Sequence, residues 1–162
     1  MLRYWRAFDG AEKDLYGVLG TTPADGTEPP KLVEAARRYG LRARWAENLE
    51  PADLRRALAR GEAAILDIQA WPDKPPKSWR DDWDDGHYVV LVGMDDSFAY
   101  FMDPSTEKSY AYIPLRELPE RWHDFENRGG KVRRYVHFAA FLRGRGAPAP
   151  APAPAAPLSR LP

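Results

Sequence analysis

His87 and Asp103 are the two side chains whose types and spacing fit acid–base chemistry. His87 opens the run Gly86-His87-Tyr88-Val89-Val90-Leu91-Val92-Gly93-Met94, apolar and β-branched as strands inside a sheet are. Asp95-Asp96-Ser97 suits a tight turn, and Phe98-Ala99-Tyr100-Phe101-Met102 suits a return strand that ends at Asp103. Antiparallel strands of similar length bring their far ends together, so this hairpin predicts His87 and Asp103 as neighbours. A carboxylate on one imidazole nitrogen fixes the tautomer and leaves the other to take a proton from a nucleophile or to charge beside a thiolate. Two thirds of a catalytic triad are therefore readable. The same spacing equally fits a strand-end histidine in a hydrogen bond beside an Asp-Pro turn, because two residues do not make a triad.

The elements that must position this pair follow from periodicity. Leu2 and Trp5 share a face of a short helix that Asp9-Gly10 ends. Residues 11–19 form a second, with Leu15, Val18 and Leu19 inward and Gly20 as its stop. A third is capped by Thr27 or Glu28, carries Pro29 and Pro30 in its first turn, and shows Leu32, Val33, Ala36 and Tyr39 as an apolar stripe until Gly40. Residues 41–46 alternate as a half-buried strand with Trp45 as a core contact. A helix begins at Pro51, with Leu54, Ala57 and Leu58 inward and Gly61 as its end. Residues 63–70 are a near-continuous apolar run fit for the middle of a sheet, paired with the His87 strand. Residues 109–113 read as a strand, 114–121 as a short helix and 133–142 as one closing strand. Helices come first and strands later, which signals an α+β fold.

Between Trp71 and Asp85 lie three Pro, three Trp and five Asp, which read as an exposed loop bringing aromatics near His87. Its tryptophans either face a substrate or pack on the domain's own surface.

Asp85-Gly86-His87-Tyr88-Val89-Val90-Leu91-Val92-Gly93 and Phe101-Met102-Asp103-Pro104-Ser105 resemble, in that order, the His and Asp motifs of the bacteriocin-processing, double-glycine cysteine peptidases. The likeness covers roughly residues 1–142. Those papain-like domains stand at the N-terminus of bacteriocin ABC exporters, where they cut leader peptides after Gly-Gly, or occur alone, and this chain resembles the stand-alone kind. The resemblance implies a papain-like fold of N-terminal helices packed on an antiparallel sheet, His87 as general base, Asp103 as its orienting partner, and an extended peptide substrate or leader peptide; association with an ABC exporter is left open. Residues 21–27 resemble the family's loop between its second and third helices, and Arg121-Trp122-His123-Asp124 resembles a feature of stand-alone members. In the family the Cys opens a long helix behind an oxyanion-hole Gln, and Leu2-Arg3-Tyr4-Trp5 resembles that helix's C-terminal half. The nucleophile is therefore expected ahead of Met1, through a start assigned at an internal Met, or lost. Gln69 follows that place in sequence and is expected to be a strand-end polar group, outside the site.

Composition bounds the rest. At 162 residues with 44% hydrophobic side chains the chain suits one domain, residues 1–143, followed by a disordered Pro/Ala-rich tail at 144–162 that would act as a spacer. Lys plus Arg equals Asp plus Glu at 24 each, so no basic field gathers nucleic acid. No apolar run approaches the roughly 20 residues that span a bilayer, and the expectation is a cytoplasmic protein with no stable membrane insertion. Cysteine is absent, which removes disulfides, thiolate metal sites and thiol chemistry from this chain by itself. His123, expected in a turn, and His137, expected to alternate along a strand, lie in separate segments without H-E-x-x-H spacing, so neither a metal nor another cofactor is expected. Two readings of function remain. One is a cysteine-peptidase-like domain that is inactive as written; the other is a non-catalytic peptide-docking module.

Overall fold

A computed structural model describes residues 1–23, 26–72, 78–106, 109–146 and 157–162. It is an α+β fold built on a sheet in the order β1-β8-β2-β3-β4-β5-β9, antiparallel except for its last pairing. The strands are β1 (Arg42–Ala46), β2 (Ala63–Gln69), β3 (Gly86–Met94), β4 (Phe98–Met102), β5 (Tyr110–Pro114), β8 (Ala139–Arg143) and β9 (Leu158–Arg160). A separate ribbon joins β6 (His123–Arg128) to β7 (Lys131–Val136).

Burial follows the alternation of β2. Ala64, Leu66 and Ile68 point to one face, where they join Leu54 and Ala57 of α3 (Pro51–Ala59), Val89, Leu91, Phe101 and Trp122. Ile65 points to the other, beneath Val33 and Ala36 of α2 (Pro29–Arg38), with Met1, Leu2, Trp5 and Phe138. Both helices start as their sequences dictate. Pro29 and Pro51 occupy first-turn positions, where the missing N–H costs nothing, and Asp53 accepts the backbone N–H of Glu50 at 2.9 Å. Gly20, Gly40 and Gly61 follow helices with φ of 65°, 82° and 69°, the left-handed ending that glycine adopts without a Cβ clash.

Several expected elements differ. Residues 2–6 make a single hydrogen-bonded turn, too short to propagate as a helix. The second helix is a 3-10 turn at Glu12–Leu15 running into α1 (Tyr16–Leu19). The helix expected over 114–121 is shortened to α4 (Leu118–Arg121), because Tyr110–Pro114 continues as strand through Pro114. Trp45 is 40% exposed and lies against Phe138 at the rim of the core.

The single strand expected over 133–142 is two strands in different sheets. His137 breaks it with φ 49°, its ring stacked on Trp122 and its two nitrogens facing the carbonyls of Leu49 and Pro119 at 2.8 and 3.1 Å. His123 likewise opens strand β6, where a turn is expected. Gly129-Gly130 closes that ribbon with both φ values positive, the geometry of a two-residue hairpin loop.

The end of the chain departs furthest. Of the expected disordered tail, residues 147–156 lie outside the described residues, but Leu158–Arg160 pairs in parallel with β5 and Leu161 is 1% exposed in the core. The Pro/Ala composition that argues against a core stops at Pro157, and Leu-Ser-Arg-Leu carries side chains and N–H groups that a sheet edge can use.

Candidate functional site

A one-residue irregularity decides whether His87 and Asp103 meet. At the turn end of the hairpin Met94 pairs with Ala99 and Gly93 with Tyr100, but the next pair is Leu91 with Phe101, so Val92 is an extra residue bulged out of β3. A regular ladder would set Asp103 opposite Val90, on the face away from His87. The bulge shifts the register by one, and Asp103 falls in line with Val89, on the same face as His87 and diagonal to it. Diagonal neighbours lie about 7–8 Å apart at their backbones, within reach of an imidazole and a carboxylate. His87 Nε2 is 2.9 Å from Asp103 Oδ1.

The carboxylate is built in. Asp103's side chain is 0% exposed and His87's is 18% exposed. The Ser105 backbone N–H donates to Asp103 Oδ1 at 2.7 Å, and the Trp71 indole N–H to Oδ2 at 3.1 Å. With His87 these are three N–H donors on one carboxylate, which can only accept. The imidazole proton therefore sits on Nε2, and Nδ1 carries the lone pair that could take a proton. Trp71 reaches Asp103 from a left-handed backbone, φ 63°, which costs a bulky residue on the order of 1 kcal/mol or more and persists where surrounding contacts over-determine it.

Gln69, at the end of β2 beside Gly86, secures the base of the Trp71–Asp85 loop. Its Oε1 accepts the Asp85 N–H at 2.8 Å, and its Nε2 donates to the His123 carbonyl at 2.9 Å. It is thus a structural strand-end amide. Residues 73–77 of the loop lie outside the described residues, and Trp79–Asp81 forms a 3-10 turn where no helical element is expected. The loop's tryptophans engage the domain: Trp71 on Asp103, Trp79 under the Arg121 guanidinium at 3.9 Å, and Trp83 against the His123 ring at 4.3 Å.

On the opposite face of β3, Tyr88 pairs with Asp67 of β2. Its hydroxyl donates to the Thr27 carbonyl at 2.8 Å. Asp67 is 2% exposed beside Asp124, so burial first, and the neighbouring carboxyl second, push its pKa well above the usual carboxylate range. Burial also raises Asp124, and burial raises the Tyr88 phenol. Asp124's carboxylate sits where a Cβ on Gly86 would be, which explains a glycine immediately before His87. Of residues 21–27, Ala24 and Asp25 lie outside the described residues, and Thr21 and Thr27 join their hydroxyls at 2.6 Å.

Among the described residues no group of three or more His, Asp or Glu side chains is placed to hold a metal ion, and no helix is long and apolar enough to cross a membrane. Asp67, Asp124 and the Trp71 contact were missed in the sequence. An aspartate inside the apolar run Ala63–Ala70 was a signal for the first, whereas Trp71's contact depends on a backbone conformation that composition does not announce. No protein-family model matches the chain, and a search of curated proteins finds no match.

Proposed function

We propose that this is a papain-like, peptidase-type domain in which His87 and Asp103 are the base and orienting members of a Cys-His-Asp triad, acting on an extended peptide of the double-glycine leader type. The observation that carries the reading is the 2.9 Å bond from His87 Nε2 to a fully buried, three-fold hydrogen-bonded Asp103, with the ring itself partly accessible. That arrangement orients Nδ1 to take a proton from a thiol. The thiolate would attack the scissile carbonyl, the imidazolium would return its proton to the leaving amine, and water would then hydrolyse the thioester. The 162 residues contain no Cys, so the thiol has to come from outside them.

That same absence favours a second reading, in which the domain docks a peptide without cutting it. One experiment separates the two. The 162-residue chain and a form extended by the residues encoded upstream are assayed for binding and cleavage of a Gly-Gly leader peptide, with and without a thiol alkylator. The peptidase reading expects cleavage by the extended form only, abolished by alkylation and by His87→Ala. Binding without cleavage in both forms supports docking. Alkylator-resistant cleavage by the 162-residue chain that survives His87→Ala contradicts the mechanism.

A further inference from the structure

We propose that the outer edge of β5, together with Glu117 and Arg121, is a binding site for an extended peptide, and that the chain's own segment Pro157–Pro162 is its resident, exchangeable ligand. This stands apart from the His87–Asp103 reading and does not depend on it.

Main-chain pairing supplies the first half of the recognition. The Tyr110 N–H donates to the Pro157 carbonyl at 3.2 Å, the Leu161 N–H donates to the Tyr112 carbonyl at 3.0 Å, and Leu158, Ser159 and Arg160 lie opposite Tyr110, Ala111 and Tyr112. Adding a strand to a sheet edge in this way gives affinity without much sequence demand; side-chain pockets then give selectivity. Here Leu161 is the anchor, 1% exposed, while Leu158 is 57% exposed. Arg160 reaches Glu117 with contacts of 2.8 and 3.1 Å.

Arg121 reads the backbone of the segment. Its guanidinium is 0% exposed, donates to the Leu161 carbonyl at 3.4 Å, and also donates to the oxygen of Pro162. Burial brings its pKa down to about 10. Three contacts hold it in place without the segment: its Nε donates to the Gln69 carbonyl at 2.9 Å, Glu117 lies 3.6 Å away, and the Trp79 ring sits beneath it. A buried cation pre-positioned with donors turned toward an edge strand is the preorganisation that a peptide site needs.

The connection to the rest of the chain has the character of a tether. Ten residues, 147–156, all Ala or Pro, separate Gly146 from Pro157. From β8 to β9 the sheet has five neighbour steps, about 24 Å at the usual strand spacing. Ten residues reach at most roughly 36 Å when extended, which exceeds that distance. A covalent connection long enough to reach the edge keeps the segment near it and so raises its effective concentration there.

The test uses the full chain with a protease site inserted between residues 150 and 151, cleaved after folding. Fluorescein-labelled peptide Pro157–Pro162 is titrated by anisotropy into the cleaved protein, after removal of the released fragment, and into the intact chain. The expected result is a body that keeps its circular dichroism and binds the peptide saturably, at least about ten-fold more tightly than the intact chain does. A peptide with Leu161→Asp should bind at least ten-fold more weakly, and one with Arg160→Ala two- to five-fold more weakly. The intact chain carrying Leu161→Asp should stay folded and accept the labelled peptide as well as the cleaved body does. Unfolding of both the cleaved body and the Leu161→Asp chain would make β9 an integral strand and overturn the proposal. So would a folded body that fails to bind the peptide, or a fragment that never leaves on dilution.

Discussion

Along β3 the adjacent residues His87 and Tyr88 point to opposite faces, and the buried carboxylates they meet are in opposite situations. Asp103 receives N–H groups from His87, Ser105 and Trp71, so its carboxylate meets donors among the described residues. Asp67 faces a second carboxyl, Asp124, and burial pushes the pKa of both above the ordinary carboxylate range. The first arrangement fixes the position of a histidine ring at a partly open edge. The second closes the opposite face of the same strand at an electrostatic cost. One strand thus carries a directed polar site on one face and a buried carboxyl pair on the other, and the bulge at Val92 puts Asp103 on the face of His87.

The bulge is the most sensitive point of this contrast. Deleting Val92 restores a regular ladder and turns every residue from His87 to Leu91 over, exposing Val89 and Leu91. At about 1.5–3 kcal/mol for each large apolar side chain moved into water, the loss should exceed about 3 kcal/mol and leave the domain unfolded or molten. A cooperative denaturant transition near the parent midpoint would show that register does not set the faces. Asp103→Ala should come next, losing about 2–4 kcal/mol by urea unfolding, because it leaves buried N–H donors from Ser105 and Trp71 without an acceptor.

Asp67→Asn should move the other way. A carboxyl whose pKa is raised in the folded state binds its proton more tightly there than in the unfolded chain. Its stabilising contribution is therefore full below about pH 4 and declines as pH rises from there toward the raised folded pKa. An amide at position 67 has no such proton to lose, so the parent's decline should flatten and stability near pH 7 should rise by on the order of 1 kcal/mol. Thermal melts of both proteins from pH 4 to pH 8 read this directly, and parallel curves would remove the contrast between the two faces. Trp71→Phe is the gentlest change: it keeps an aromatic side chain, removes one of Asp103's three donors, and should cost about 0.5–1.5 kcal/mol.

Much of this was legible from residues alone, and the exceptions share a cause. The β3–β4 hairpin, the central place of β2, the Pro-started helices and the glycine stops follow from local patterns. Proximity of His87 and Asp103 was readable as well, but the face they share was not, since Val92 looks like any other member of the run Val89-Val90-Leu91-Val92. His137 stood in an alternating segment and gave no sign of the positive φ that sends β7 and β8 to different sheets. Gly129-Gly130 carries a hairpin signal, the one that pairs residues 131–136 with 123–128. At the C-terminus the composition of 147–156 was extended past Pro157 onto Leu-Ser-Arg-Leu, whose partner strand lies some fifty residues away in sequence.

The central claim is that Asp103 holds His87 through Nε2 and so reserves Nδ1 for a proton. A long-range proton–nitrogen correlation spectrum of histidine-labelled protein tests it, recorded at about pH 8.5, two units above an ordinary imidazole pKa of about 6.5. His87→Gln assigns the ring signals. The account predicts a single Nε2–H tautomer for His87 that becomes a tautomeric mixture in Asp103→Asn. An Nδ1–H tautomer, or a ring already averaging between the two in the parent protein, would contradict it.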